Sequence, residues 1–350
     1  MNASRLIQTV LVSAFLIGLY FVSLFYPGGL DGPQSFMVTN GPVAAEQKAV
    51  FWYTVGVSLF LLVAVGGVFL YAIFKFRAKP GEDFKVPEQT HGSTKVELAL
   101  ILVSCALLLV IAIPNAKALF YVDEVPADHP KKADAVKVVA IGHQWWWEFQ
   151  YPDLGITTAN ELHVPVGVPI DVEVRSADVL HSFWVPRLAG KMDAVPGQVS
   201  KMWFEADTAD KYYGHCTEYC GDSHANMRFF VMAEDQDAFD KWVRNEKKDA
   251  VKPASVEEVN GQRLFMQGCN SCHAVQGSGA MGVVGPNLSH FGSRTSLGAG
   301  LFTNDTEHLT KWIEDPQGMK PGNLMNLQQV NMVLSNSDVK NLVAYLQSLK

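Results

Sequence analysis

Two thiols, an imidazole and a thioether lie close together in the sequence. Cys216 and Cys220 are four residues apart, His224 follows four residues later, and Met227 lies three residues further on. Thiolate, thioether and imidazole ligands together favour copper or zinc over magnesium or calcium. A disulfide between the two cysteines is the alternative interpretation, but the accompanying histidine and methionine favour a metal site.

A second cysteine pair belongs to a different motif. Cys269, Cys272 and His273 form Cys-x-x-Cys-His, the pattern for covalent attachment of haem c. Two thioether bonds would hold the porphyrin and the histidine would bind the iron. Zinc binding and chance are the alternatives for this motif taken alone. A sixth iron ligand is expected before the last helix, where three methionines compete: Met319, Met325 and Met332.

The composition of the 350-residue chain excludes one class of function. Hydrophobic residues make up 48% of the chain, and 35 acidic residues exceed 28 basic ones. The sequence has no basic patch or stripe, so nucleic-acid binding is not expected. Cys105 lies inside an apolar run and is interpreted as a small core or lipid-facing residue.

Three apolar runs are long enough to cross a bilayer: 6–26, 50–76 and 96–121. A secretory signal has the same features as the first run, so residues 1–26 are predicted to be a signal peptide or an N-terminal anchor. Basic residues cluster between the second and third runs, and the positive-inside rule places that loop in the cytoplasm. Residues 50–121 therefore form a transmembrane hairpin, and the chain after them lies on the outer side.

Beyond the third apolar run the pattern changes to short alternating segments. Four of them indicate strands, at 135–141, 170–175, 199–204 and 227–232, with Gly and Pro turns between them. Residues 122–245 are therefore predicted to form a β-sandwich or Greek-key barrel. A charged, polar linker is expected at 246–254. Residues 255–350 show helical patterns, and Ser337 and Asp338 are expected to cap the last helix.

Residues 50–245 resemble subunit II of the haem-copper cytochrome c oxidases. The resemblance is carried by Cys-x-Glu-x-Cys-x-x-x-His-x-x-Met at 216–227, by Gly-His-Gln-Trp-Trp-Trp at 142–147 and by His181. It implies a cupredoxin-like β-sandwich, here called the copper domain (122–245), with a binuclear copper centre, CuA. The implied ligands are two bridging thiolates, two imidazoles, a thioether and a backbone carbonyl: Cys216, Cys220, His181, His224, Met227 and Glu218. Quinol-oxidase relatives keep the sandwich but lack these two thiols. This sequence has both, which argues against that branch.

The same resemblance implies roles outside CuA. The Glu218 carboxylate would bind magnesium or manganese at the border with the catalytic subunit, with a solvated loop acid as the alternative. Trp145 would be an exposed aromatic where electrons enter, and at least one of the three adjacent tryptophans is expected in the core. Asp178 would be a nearby acid that influences either docking at this site or the properties of the His181 ligand. Glu97 would stand at the mouth of a proton pathway, with a solvated helix-end carboxylate as the alternative.

Residues 255–350, here called the cytochrome domain, resemble class I cytochrome c. Fused domains of this kind place the distal haem ligand after a Pro-Gly turn, which favours Met325 in the run Lys-Pro-Gly-Asn-Leu-Met, with Met319 second. The chain as a whole therefore resembles subunit II of a caa3-type cytochrome c oxidase. The expected fold is a multidomain membrane protein with a transmembrane helical hairpin, a cupredoxin-like β-sandwich and an all-α cytochrome c domain.

The expected function is electron transfer from haem c to CuA and on to haem a of subunit I, where oxygen is reduced to water and protons are translocated. Expected partners are subunits I and III, membrane lipid, and an upstream quinol:cytochrome c reductase or soluble cytochrome c. The expected location is the bacterial cytoplasmic (inner) membrane, with both domains on the periplasmic side. Trp145 and apolar contacts are expected to dominate docking between the domains. The alternatives are a copper-containing nitric oxide reductase subunit and a free-standing membrane redox carrier.

Overall fold

The computed structural model describes residues 13, 15–18, 20, 32–77, 81, 89, 91–326 and 332–350. Most of the predicted first span, 6–26, lies outside the described residues. The chain divides into two compact units. One unit comprises residues 45–122, and the other contains the remainder, including the copper domain and the cytochrome domain.

Two long helices, α1 (Pro42–Lys75) and α2 (Thr94–Asp123), correspond to the predicted hairpin. They have 34 and 30 residues, whereas about 20 apolar residues suffice to cross a bilayer. Apolar side chains are exposed on all sides of both helices, as expected where lipid replaces water as the solvent. The two predicted spans at 50–76 and 96–121 are therefore confirmed as helices long and apolar enough to cross a membrane.

The copper domain contains ten strands in two sheets. Their bounds are β1 (Val136–His143), β2 (Trp146–Tyr151), β3 (Ile156–Ala159), β4 (Glu161–Pro165), β5 (Ile170–Ser176), β6 (His181–Trp184), β7 (Met192–Ala194), β8 (Ser200–Phe204), β9 (Asp210–Cys216) and β10 (Arg228–Glu234). One sheet has the order β3-β2-β1-β5-β8 and the other β4-β10-β9-β6-β7. The pairs β1/β5 and β4/β10 are parallel. The predicted sandwich is thus confirmed.

Alternating burial explains why these segments form strands. In β5, every second side chain from Ile170 onward is buried, because successive side chains of a strand point to opposite faces. Four of the buried aromatic side chains form a cluster in the core: Trp147, Phe149, Phe183 and Phe229. The rings of Phe183 and Phe229 stack at 4.6 Å between centroids, and Trp147 packs edge-on against Phe183 at 5.5 Å. Trp147 is therefore the tryptophan of the run 145–147 that lies deepest in the core.

After the sandwich, α3 (Gln236–Glu246) precedes a stretch without regular structure that includes most of the predicted linker. The cytochrome domain then follows with four helices among the described residues: α4 (Val256–Phe265), α5 (Thr306–Glu314), α6 (Pro316–Met319) and α7 (Asn336–Ser348). Between α4 and α5 lie two short hairpins, β11 (Ala274–Val275) with β12 (Ala280–Met281), and β13 (Ser296–Leu297) with β14 (Phe302–Thr303).

Helices α4 and α7 cross closely in the cytochrome domain. A Cβ at Gly261 would lie 2.0 Å from the carbonyl oxygen of Asn341, so only glycine permits this approach. Phe265 packs edge-on against Tyr345 at 5.6 Å. The predicted cap of α7 was wrong by two residues: Ser335 is the N-cap, and Asp338 completes a capping box by accepting the Ser335 N–H.

Candidate metal centre and haem-attachment site

The sulfur atoms of Cys216 and Cys220 lie 3.8 Å apart, and both side chains are buried. Sulfur atoms in a disulfide are about 2.05 Å apart. Both thiols are free, which excludes the disulfide interpretation in this structure. Their spacing leaves each sulfur able to donate electron density to a metal placed between them.

The other predicted ligands surround this sulfur pair. The Cys216 sulfur lies 3.9 Å from His181 Nδ1 and 3.3 Å from the carbonyl oxygen of Glu218. The Cys220 sulfur lies 3.5 Å from His224 Nδ1 and 3.9 Å from Met227 Sδ. All six residues named from the sequence therefore meet in one place. Two thiols, two imidazoles, a thioether and a carbonyl form a soft, nitrogen- and sulfur-rich set that fits copper.

Three strands of one sheet bring these ligands together. Strand β6 begins at His181 and β9 ends at Cys216, while β10 begins directly after Met227. The Cys216 N–H donates to the Met227 carbonyl at 3.0 Å, which closes the loop between β9 and β10. The ligand loop therefore lies at one end of the sandwich, where the strands hold it rigidly, a common arrangement for functional sites.

A second layer of contacts orients His181. Its Nε2–H donates to Asp178 Oδ1 at 2.7 Å, which leaves Nδ1 directed at Cys216. The other carboxylate oxygen of Asp178 accepts the Gln144 backbone N–H at 2.7 Å. A Cβ at Gly142 would lie 2.7 Å from the His181 ring, so glycine is needed there. The sequence-based association of Asp178 with His181 is thus met by a direct contact.

Hydrogen bonding prepares one thiol for metal binding. The hydrogen bond from the Cys220 thiol lowers the pKa of Cys216 to about 3, and contacts with His181 and with backbone groups act in the same direction against burial. The hydrogen bond with Cys216, burial and the negative charge on Cys216 raise the pKa of Cys220. Burial opposes protonation of His181, but its bonds to Asp178 and Cys216 outweigh burial and raise its pKa. Metal binding requires ligands to lose their protons, so one thiolate is already in place.

Trp145 is buried, contrary to the exposed position expected from the sequence. Only 7% of its surface is accessible. Its Nε1–H donates to the Cys220 carbonyl at 2.9 Å, and Gln144 Nε2 donates to the same oxygen at 2.7 Å. Gly322 of the cytochrome domain lies against its ring, and Lys320 Nζ donates to its carbonyl at 2.6 Å. Sequence reasoning did not single out Gln144 or Lys320, because neither type of residue carries a ligand signal.

The two acids predicted to work at the subunit border lie at different places in the fold. The Glu218 carbonyl faces Cys216, and its side chain is half-buried. Among the described residues, its carboxylate joins no cluster of potential metal ligands. Glu97 lies in the first turn of α2 and is exposed. The magnesium or manganese role and the proton-pathway role therefore remain predictions.

The haem-attachment motif is arranged for iron binding. The His273 Nδ1–H donates to the Pro286 carbonyl at 2.8 Å, which leaves Nε2 available as an iron ligand. A Cβ at Gly285 would lie 2.5 Å from the His273 ring, so the glycine admits the imidazole. Burial lowers the pKa of His273 and raises the pKa of Cys269 to about 11. A neutral imidazole and two free thiols, Cys269 and Cys272, fit covalent haem.

The three competing methionines occupy different positions. Met319 ends α6, and Met325 lies in the following loop, where its N–H donates to Asn323 Oδ1 at 2.8 Å. Gln317 Nε2 donates to the Asn323 and Met325 carbonyls and holds this loop closed. Met332 follows directly on residues that are not described. The preference for Met325 remains a prediction.

Comparisons with known protein families match both domains separately. The family described as "Cytochrome C oxidase subunit II, periplasmic domain" matches residues 155–234. The family described as "Cytochrome c" matches residues 258–350. The first match contains the candidate copper ligands and the second contains the haem-attachment motif.

Two relatives are similar to this chain over most of its length. Cytochrome c oxidase subunit 2 of Alkalihalophilus pseudofirmus is 36% identical over 335 residues, which cover 95% of this chain and 96% of that protein. Cytochrome c oxidase subunit 2 of Bacillus sp. strain PS3 is 38% identical over 288 residues, covering 79% and 80%. Among solved structures, the periplasmic domain of subunit II of cytochrome oxidase from Bradyrhizobium japonicum is 34% identical and has a TM-score of 0.32. The match covers 32% of this chain and 93% of that one.

Proposed function

Because the chain belongs to the cytochrome c oxidase subunit II family, we propose that it delivers electrons to the oxidase through two sites of its own, CuA in the copper domain and haem c in the cytochrome domain. The observation that carries this proposal is the meeting of four further potential ligands around the buried sulfur pair of Cys216 and Cys220. Membership of the family makes the chain part of an oxidoreductase complex with a subunit I partner. Its two domain families imply copper and haem c.

The residues of the chain would hold each group and exclude water from it. A bound copper pair would accept and release one electron with little change in coordination, and the haem iron would do the same. Cys216 and Cys220 would hold the metals as thiolates, and Asp178 would keep the His181 ring in a fixed orientation while the charge of the centre changes. The low exposure of both cysteines, 4% and 3%, would keep solvent reorganisation small.

The remaining roles follow from the family resemblance. His224, Met227 and the Glu218 carbonyl would complete the copper site, while Cys269, Cys272 and His273 would hold the haem, with Met325 as its distal ligand. Trp145 would lie on the path into CuA, Glu218 would bind magnesium or manganese, and Glu97 would serve proton entry. A bacterial inner-membrane location with both domains outside and a contact with subunit III complete the proposal.

The nitric oxide reductase alternative is not favoured. The whole-chain relatives at 36% and 38% identity are cytochrome c oxidase subunits. A free-standing carrier would need no catalytic partner, whereas members of this family are subunits of a complex. Oxygen reduction would therefore take place in subunit I, and this chain would supply its electrons.

Metal analysis of the complex purified from native membranes tests the proposal. Copper and covalent haem are measured per chain for the wild type, for Cys216→Ser and Cys220→Ser, and for Cys105→Ser as a cysteine control outside the site. We expect both site variants to lose the copper and the oxygen uptake driven by reduced cytochrome while keeping the haem. Unchanged copper content in either site variant would refute the assignment of these cysteines.

A further inference from the structure

The copper domain and the cytochrome domain share an interface built from two segments of the cytochrome domain. One is the segment 295–300, which comprises β13 and the turn that follows it, and the other is the loop 320–322. The turn packs against β10, where the Arg228 N–H donates to the Ala299 carbonyl at 3.2 Å. The loop packs against Trp145. The first segment also donates hydrogen bonds to a buried side chain of the copper domain, and the second supplies a buried side chain of its own.

The first buried charge is Glu161, which begins β4 of the copper domain and is 2% exposed. Its carboxylate accepts the backbone N–H groups and the hydroxyls of Thr295 and Ser296, at 2.7 to 3.2 Å. These four donors all belong to the cytochrome domain. A buried carboxylate is costly without hydrogen bonds, and bonds to a charged acceptor are stronger than neutral ones. Thr295 and Ser296 therefore provide the hydrogen-bond donors that this carboxylate needs.

The second buried ionisable side chain is an amine from the other domain, and burial lowers its pKa to about 7. Lys320 of the cytochrome domain is 3% exposed, and its Nζ donates to the Trp145 carbonyl at 2.6 Å and to the Gly298 carbonyl at 3.2 Å. Ser223 donates to the neighbouring Pro321 carbonyl. The interface therefore contains directional hydrogen bonds to two buried ionisable side chains, and it also includes Trp145. The expectation that Trp145 and apolar contacts dominate docking stays a prediction.

We propose that Glu161 and Lys320 are positioning residues that hold the cytochrome domain in one fixed pose on the copper domain, with its loop 320–322 seated on Trp145. The inference rests on the proposed function, in which the two domains exchange electrons. A flexible linker alone would raise the local concentration of one domain near the other but would leave many poses. Two buried ionisable side chains, one from each domain, specify a single register because each needs donors or acceptors at defined places.

The fixed pose has a consequence for electron entry. Trp145 is covered by the chain's own cytochrome domain, so a soluble donor protein has no access to it. An external donor protein must then reach this subunit at the cytochrome domain. From there, one side chain joins the cytochrome domain to the copper ligands, because the Trp145 ring contacts Gly322 and its N–H donates to the Cys220 carbonyl.

Hydrogen–deuterium exchange on the full chain in its oxidase complex tests the pose. In the wild type, the Thr295 and Ser296 amides should exchange slowly, since both donate to Glu161. In Glu161→Gln these amides should exchange at least about tenfold faster, while the haem spectrum stays unchanged. Glu234→Gln is the matched control, because Glu234 lies at the other end of the paired strands β4 and β10 and bonds to His163. Fast exchange of both amides in the wild type would overturn the proposal, whatever the stability of the variants.

Flash-photolysis kinetics on the same complexes provide a second readout. The experiment follows the one electron that leaves the reduced haem iron and arrives at the oxidised copper centre, with both midpoint potentials measured in parallel. The wild-type rate should not depend on solvent viscosity. Glu161→Gln and Lys320→Met should each slow transfer about tenfold and make it viscosity-dependent. Glu161→Gln should leave both potentials unchanged, whereas Lys320 interacts electrostatically with Cys220, so its rate is compared at the measured copper potential. Viscosity-dependent transfer in the wild type, or wild-type rates in both variants, would overturn the fixed pose. Complete absence of transfer in the wild type would instead refute the proposed function.

Discussion

The indole N–H of Trp145 donates a hydrogen bond to the carbonyl oxygen of Cys220, with 2.9 Å between nitrogen and oxygen. Cys220 is a candidate bridging ligand, and the opposite side of the indole lies against Gly322 of the cytochrome domain. One buried side chain thus contacts both the copper-binding loop and the domain that carries the haem motif. The fold connects the two candidate sites at this position.

The contact between Asp178 and His181 predicts an effect on copper affinity. Asp178→Asn should weaken copper binding by about 10- to 100-fold, because the amide is a poorer acceptor for the His181 Nε2–H and also bonds less well to the Gln144 N–H. Competition with a copper chelator measures the affinity. Asp171→Asn, an exposed carboxylate on β5, should leave the affinity unchanged. Equal affinities for Asp178→Asn and the wild type would contradict the orienting role.

The distal haem ligand is decided by comparing three methionine variants. Met325→Ala should remove the sulfur ligand from the haem iron and change the reduced-haem spectrum. Met319→Ala and Met332→Ala should leave that spectrum intact. The three changes remove the same group at neighbouring positions of one domain, so each serves as a control for the others. An unchanged Met325→Ala spectrum would reject this assignment and favour Met319.

The close approach of α4 and α7 predicts that replacing Gly261 by alanine lowers the stability of the cytochrome domain. Glycine to alanine inside a helix is normally stabilising by about 0.5–1 kcal/mol. Gly261→Ala should instead destabilise the cytochrome domain by about 1–3 kcal/mol, because the new methyl group would meet the Asn341 carbonyl at 2.0 Å. Denaturant unfolding followed by haem absorbance measures the change. Glu257→Ala, exposed in the same helix, is the control and should stay within about 0.5 kcal/mol of the wild type. A stabilised Gly261→Ala variant would show that the helices do not cross so closely.

The cap of α7 predicts a difference between two neighbouring serines. Ser335→Ala should cost about 1 kcal/mol, because its hydroxyl accepts the Asp338 N–H, whereas Ser337→Ala should have little effect. Hydrogen bonds from Ser335 lower the pKa of Asp338. The ionised carboxylate therefore stabilises the cap above the unfolded pKa of about 3.9, and this contribution is lost as the pH falls through the folded value.

Thermal unfolding at neutral and acid pH measures both effects. The difference in Tm between the wild type and Ser335→Ala should shrink in acid, where Asp338 is protonated in both proteins. A larger loss for Ser337→Ala than for Ser335→Ala would restore the cap that the sequence predicted.

The sequence by itself determined the features that depend on neighbours along the chain. Twelve consecutive residues carry four of the six copper ligands and the Glu218 carbonyl, so their spacing alone indicates a soft-metal site. The Cys-x-x-Cys-His motif is equally local. The two apolar runs predict α1 and α2, and the alternation in β5 predicts its buried face. Both features follow from the spacing of apolar residues along the chain.

Only the tertiary structure decided which distant groups meet. Glu161 starts a strand and Lys320 precedes a Pro-Gly turn, positions where charged residues normally face water, yet both are buried by contacts across more than a hundred residues of chain. Trp145 was expected at the surface and is covered by the cytochrome domain for the same reason. Burial of a polar side chain depends on partners brought close by folding, and the identity of those partners leaves no local trace in the sequence.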